Sequence, residues 1–172
     1  MASMVAVDEA RSDGRQISPA LAGKYLTFAL GAEEYGLPVL KVREIIKVMD
    51  ITQVPQVPSH VRGVINLRGK VIPVVDLRLR FGLPGQDSTE RTCIIVVDVA
   101  LSNEKVMMGI VVDSVSEVLN ITANELDQAP EFGDRITTDY MLGLAKVKGT
   151  VKILLDLDRV LGSDEQLAGR AF

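Results

Sequence analysis

The chain has 172 residues, a formal net charge of −4 and only 4% aromatic residues, a balance wrong for nucleic acid, which wants basic surfaces and stacking rings. A single cysteine, Cys93, excludes an internal disulfide and fits a reducing compartment, and no apolar run approaches the about 20 residues of a membrane span. A chain of this size buries roughly 70% of the surface its unfolded form exposes, so it needs neither metal nor disulfide, and a cytoplasmic globular protein is expected.

Residues 1–23 mix small and charged residues without periodicity and read as a flexible N-terminal tail; early acids and the lack of an apolar core argue against a signal peptide. From Lys24 the pattern changes to short β-branched runs separated by Gly, Pro or Asp: KYLTFALG (24–31), EEYGLPV (33–39), EIIKVMD (44–50), GVINLRG (63–69) and KVIPVVDL (70–77). Beyond LPGQDSTE (83–90) come TCIIVVDV (92–99), KVMMGIVVD (105–113), SEVLNIT (116–122), MLGLAKVKG (141–149) and TVKILLDL (150–157). Short helices are expected after Pro38, Asp76 and Asp156; in the last two an Asp precedes a short apolar-spaced segment closed by glycine, as an N-cap and a stop would be. Residues 163–172 read as a C-terminal tail. The class is all-β with short capping helices.

The runs repeat. GLPVLKVREII (36–46) aligns with GIVVDSVSEVL (109–119), with Gly36/Gly109, Val39/Val112, Val42/Val115 and Glu44/Glu117 identical, 73 positions apart. GKVIPVVDLRLRFG (69–82) aligns with GTVKILLDLDRVLG (149–162), 80 positions apart, keeping Gly69/Gly149, Val71/Val151, Asp76/Asp156, Leu77/Leu157 and Gly82/Gly162. The extra seven positions fall in a longer polar loop around Glu125–Thr138. Two copies of one strand-rich unit, approximately 24–82 and 91–162, are therefore expected within a domain spanning 24–162. Five short strands per copy suggest two small closed barrels, because closure removes exposed edges.

GVINLRGKVIPVVDL (63–77) resembles the signature of the CheW family of chemotaxis coupling proteins. The likeness continues through YLTFALGAEEYGLPVLKVREI (25–45), GIVVDSVSEVLNI (109–121), APEFG (129–133) and YMLGLAKVKGTVKILLDLDRVL (140–161). It implies two SH3-like five-stranded β-barrel subdomains and a non-enzymatic adaptor without cofactors. The implied partners are the cytoplasmic tips of methyl-accepting chemotaxis receptors and the regulatory domain of the histidine kinase CheA. It also implies a cytoplasmic protein recruited to receptor arrays at the inner face of the membrane, with no nucleic acid bound and no direct membrane insertion.

By the same resemblance Val42, Glu44, Arg62, Gly63 and Cys93 lie where receptor contact is expected, and Val115 and Val118 fall in the matching segment of the second copy. Kinase contact is implied through hydrophobic strand surfaces at the ends of both subdomains. Each residue also has a plain structural reading: core for the valines and Cys93, a backbone requirement for Gly63, a solvated charge for Arg62. Arg68 precedes the hairpin glycine Gly69. It is either an exposed turn charge or a fixed guanidinium engaging a carboxylate bidentately, with Glu44 as the candidate partner.

Catalytic constellations are not found. His60 is the only histidine and sits in a loop; Cys93 lies in an apolar strand, where a thiolate is disfavoured. Gly63 to Val71 has five residues between its glycines where a phosphate loop needs four, and no Ser or Thr after Lys70. Asp76 and Asp156 are related by the repeat and read as helix caps, and Pro55–Pro58 reads as a rigid loop. Two other readings stay open: a CheW-like scaffold of a non-motility chemosensory array, and a small-ligand-binding β-barrel.

Overall fold

A computed structural model describes residues 19–128 and 140–162 of the chain. The C-terminal tail, most of the N-terminal tail, the APEFG stretch and most of the polar loop lie outside the described residues. The described strands are β1 (Gly23–Leu30), β2 (Glu33–Pro38), β3 (Val42–Lys47), β4 (Val61–Leu67), β5 (Lys70–Asp76), β6 (Cys93–Leu101) and β7 (Glu104–Val112). They continue with β8 (Ser114–Ile121), β9 (Leu126–Asp127), β10 (Met141–Val147) and β11 (Thr150–Leu155). Short helices follow at Leu77–Arg80 and Leu157–Gly162, and a 3-10 turn occupies Val39–Lys41.

Burial explains the composition of each run. β6 reads as an apolar run interrupted only by Asp98 because both of its faces are covered. Ile94 and Val96 point into one small core with Ile65, Ile72, Val74 and Val111; Ile95, Val97 and Val99 join a larger one with Phe28, Leu37 and Ile110. β3, at a sheet margin, instead alternates half-buried and exposed residues along its length.

The strands form two sheets, ordered β8-β1-β2-β11-β10-β9 and β3-β6-β7-β5-β4. Each closes on itself. The chain beyond β3 bridges Thr52 to Val64 on β4, and β9, the continuation of β8, pairs Asp127 with Leu144 on β10. These are the two SH3-like barrels: barrel I from β1, β2 and β8–β11, barrel II from β3–β7. The largest core lies between them, and each has a small core of its own, built in barrel I on Tyr25, Ile121, Ala145, Val147 and Leu154.

The barrels do not follow the repeat boundary. Each copy gives its leading hairpin to the other's barrel: β1–β2 joins second-copy strands, and β6–β7 joins first-copy strands. The exchange is symmetric in register. Parallel pairing sets Gly36 opposite Leu154 and Gly109 opposite Val74, which are equivalent positions of the two copies. The β-bulges repeat as well, between Val42 and Glu44 as at the Val115–Glu117 step, and between Val61 and Gly63 as between Met141 and Gly143.

Two ion pairs clamp the exchange, with their polarity swapped. Arg78 of the first helix meets Asp113 in the β7–β8 crossover at 2.6 Å, and Asp113 also accepts from the Gly31 amide. Lys41 in the β2–β3 crossover meets Asp158 of the second helix at 3.0 Å, and Asp158 accepts from the Ala100 amide. The shared core is bridged by an aromatic ladder, Phe28–Tyr35–Phe81–Tyr140, with centroid spacings of 5.8, 5.7 and 6.1 Å, and Arg80 lies over the last ring.

Both expected caps form. Asp76 accepts from the amides of Arg78 (2.9 Å) and Leu79 (3.4 Å) and pairs with Arg62 at 3.3 Å, its side chain only 7% exposed. Asp156 accepts from the Arg159 amide at 3.3 Å and is 28% exposed. Asp76→Ala is expected to cost roughly 2–3 kcal/mol, since it removes a cap and a shielded ion-pair partner, and Asp156→Ala about 1 kcal/mol. Urea midpoints of the two variants check this; equal losses would contradict the difference in burial.

Candidate functional site

The β4–β5 hairpin turns through Arg68 and Gly69, both with positive φ (52° and 87°). Two central residues with positive φ mark the mirror-image turn whose twist matches a two-residue hairpin. The unusual backbone of Gly69 follows from the sequence; that Arg68 shares it does not, because a residue carrying a Cβ resists this region. Asn66 supports the turn, its side-chain oxygen accepting from the Gly69 amide at 2.8 Å.

From this turn the Arg68 guanidinium reaches β3. Both of its terminal nitrogens donate to Glu44, one to each carboxylate oxygen, the Nη1 contact at 3.1 Å. The Arg68 side chain is 70% exposed. The hydrogen bond from Arg68, reinforced by its charge, holds the Glu44 carboxyl below the usual glutamate range and raises Arg68 in turn. A pair this exposed contributes little to stability. What it provides is a fixed, bidentate geometry on the surface.

The pair forms the rim of a groove of about 480 Å³ at the mouth of barrel II, lined by Val42, Arg43, Glu44, Leu67, Arg68, Lys70, Ile72, Val96 and Met107. Val42 and Glu44 reach it from β3; Leu67, Arg68 and Lys70 come from the hairpin. The other expected contact residues lie outside this lining. Arg62 is drawn to Asp76. Gly63 is buried at φ 140°, and a Cβ there would sit 2.0 Å from the Thr52 carbonyl oxygen, inside the bridge that closes the barrel. Cys93 is half-buried at the start of β6 and packs on the shared core. Val115 packs on that core from β8, while Val118 is exposed on the same strand, both in barrel I.

The second copy lacks the pair. Its turn, Lys148–Gly149, has the same backbone (φ 52° and 82°), but no ion pair joins Lys148 to Glu117 among the described residues. The fold is therefore repeated and the charged rim is not.

A family model of the CheW-like domain matches residues 24–165. The chain belongs to the CheW family. It is 39% identical over 142 residues to "Chemotaxis protein CheW" of Klebsiella aerogenes, covering 83% of each chain, and 33% identical to that of Helicobacter pylori, covering 82% of each. It is 29% identical to "Protein FrzA" of Myxococcus xanthus over 84% of this chain and 89% of that one. Among solved structures, the scaffolding protein TtCheW of Thermoanaerobacter tengcongensis superposes with a TM-score of 0.74 at 34% identity, covering 84% of this chain and 96% of that one. Function in the CheW family is that of a chemotaxis adaptor, a non-catalytic scaffold. No group of three or more potential metal ligands occurs among the described residues, and no described helix is long and apolar enough to cross a membrane.

The groove residues the sequence left unmarked are Arg43, Leu67, Lys70, Ile72, Val96 and Met107. Val96 and Met107 sit in runs indistinguishable from core, and only strand alternation with the barrel order places them at a mouth. Two outcomes test the site. The Glu44 carboxyl, followed by carbon-detected NMR, should titrate below an ordinary glutamate and return toward it in Arg68→Ala; an unchanged midpoint would remove the pair in solution. Gly63→Ala should lower the urea midpoint by more than about 2 kcal/mol of stability, because the barrel-closing bridge must shift.

Proposed function

We propose that the chain is a coupling adaptor that holds the cytoplasmic tips of methyl-accepting chemoreceptors and the regulatory domain of the histidine kinase CheA in one complex at the inner face of the membrane. The observation that carries this reading is the Arg68–Glu44 pair: exposed, of little value to the fold, fixed in geometry and confined to one of two otherwise matched copies. Within residues 24–162, taken as one CheW-like domain, receptor contact is assigned to Val42 and Glu44 at the groove, with Val115 and Val118 on barrel I. Arg62, Gly63 and Cys93 fit better as supports of that surface. Arg62 holds the Asp76 cap, Gly63 permits barrel closure, and Cys93 packs beneath β3, opposite Lys47.

Kinase contact is assigned to the barrel ends. Exposed apolar strand residues repeat with the copies at Val71 and Val151, so each barrel offers a matching apolar position. One second reading keeps the same scaffold and gives it a non-motility chemosensory array.

Reconstitution with a cognate receptor fragment and kinase decides the role. The wild-type chain should form a ternary complex and make kinase autophosphorylation receptor-dependent. Arg68→Ala should fold with an unchanged urea midpoint yet lower that stimulation by about tenfold or more, the effect of roughly 1.4 kcal/mol at an interface. Absence of any ternary complex with wild-type protein would sink the coupling role. Swimming behaviour of a deletion strain separates the motility array from the alternative.

A further inference from the structure

The two copies of the repeat are held together by far more than the segment that links them. Strand pairings of β1 with β8, β2 with β11, β3 with β6 and β5 with β7 all join a first-copy strand to a second-copy strand. Polar bonds follow the same division. Besides the Arg78–Asp113 and Lys41–Asp158 clamps, Lys152 on β11 donates to Glu34 on β2, and Ser116 on β8 donates to the same carboxylate at 3.0 Å. Arg43 on β3 meets Asp98 on β6 at 3.5 Å, and Arg80 donates to the Val160 carbonyl at 2.9 Å. The largest core is shared as well, with Phe28, Leu37 and Leu77 of the first copy packed among Ile95, Ile110 and Leu157 of the second.

The covalent connection between the copies is light by comparison. Leu83 and Pro84 are still tied to the first helix: the Leu83 amide donates to the Arg78 carbonyl at 2.7 Å, and Arg78 Nε donates to the Pro84 carbonyl at 2.9 Å. Thr89 and Thr92 close a turn of their own just ahead of β6. Between these anchors residues 85–88, GQDS, are exposed and belong to neither helix nor strand. Their composition is that of a flexible linker. No inter-copy bond named above depends on that linker, so each can be made equally well by the second copy of a different molecule.

We propose that two chains exchange copies at residues 85–88, the first copy of each completing its barrels with the second copy of the other. The product is a dimer of two whole folds joined by two crossed links. This stands independently of the adaptor reading. Arg68 and Glu44 both belong to the first copy, so each composite fold keeps one pair and the dimer carries two. The balance is set by the link: a short flexible linker holds the copies at an effective concentration on the order of millimolar, so the monomer prevails well below that and the exchanged dimer above it. The two forms interconvert only by parting the shared core and opening both barrels, so a dimer once formed outlasts dilution.

The test is to refold an equal mixture of unlabelled and isotope-labelled chains from urea at about 1 mM and then dilute to micromolar concentration. Size exclusion should show a persistent dimer beside the monomer. A carbodiimide joins each lysine to the carboxylate it meets, and mass spectrometry reads the labels on the two sides of each link. In the dimer about half of the Lys41–Asp158 and Lys152–Glu34 links should join a labelled chain to an unlabelled one. Lys146–Asp127, which lies within the second copy, should stay within one label. Removing residues 85–88 shortens the link by about 13 Å and should raise the dimer fraction at micromolar concentration by about tenfold or more. The same cross-links in that variant decide the matter if the wild-type chain aggregates at the higher concentration. Monomer alone in both proteins, or a dimer whose Lys41–Asp158 links all stay within one label, overturns the exchange.

Discussion

Everything in this fold depends on two parallel strand pairs, β2 with β11 and β5 with β7, through which each copy's leading hairpin is built into the other's barrel. A hairpin of two strands is marginal alone and a barrel lacking two strands has open edges, so neither copy can complete its hydrogen bonding or its core without the other. The large shared core is a consequence. β1 and β6 each carry one face inside a barrel and one face toward the partner barrel, and both need apolar residues on both faces. The swapped-polarity clamps, Arg78–Asp113 and Lys41–Asp158, then fix the crossovers where the chain leaves one barrel for the other.

Symmetry separates structural residues from functional ones with a clarity that burial alone does not give. Positions preserved between the copies hold the fold: the Asp76 and Asp156 caps, the bulges at the barrel corners, the positive-φ turns. Among the positions that differ are those at the two mouths. One mouth is sealed by Lys152, Glu34 and Ser116; the other is left open, rimmed by Arg68 and Glu44. Glu44 is informative because it is identical in both copies while its partner is not, so its conversion from an exposed acid into half of a bidentate pair comes from the change at the turn alone.

Much of this was legible in the sequence, because strand composition, turn glycines and Asp-Leu caps are local signals. The runs around Phe28, Ile95 and Leu154 become strands as their β-branched content implies, and the repeat with its two barrels is visible in the spacing of Gly36, Gly109, Asp76 and Asp156. Hairpin exchange was not legible. An alignment of copies reports which residues are equivalent, and the same equivalences hold whether each hairpin pairs at home or across. The groove was legible only in part: Arg68 and Glu44 stood out as charges beside a turn, whereas Val96 and Met107 lie in apolar runs whose pattern is the same at a mouth as at a centre.

The division between a shared, symmetric interior and unlike mouths also has a physical reason. Stability here is concentrated in buried, non-local contacts between the copies, and the exposed Arg68–Glu44 pair adds little to it. A surface that contributes little to the fold is free to take whatever charge and shape an interaction requires, provided the backbone beneath it is rigid. The β4–β5 turn meets that condition: its mirror-image geometry is set by strand twist and braced by Asn66, and Arg68 inherits its direction from the backbone instead of from burial. Barrel I shows the same turn without the pair, so the geometry precedes the chemistry. The duplicated fold supplied two equivalent mouths, and side-chain changes at a few positions sealed one with its own ion pair and left the other open beside a fixed guanidinium.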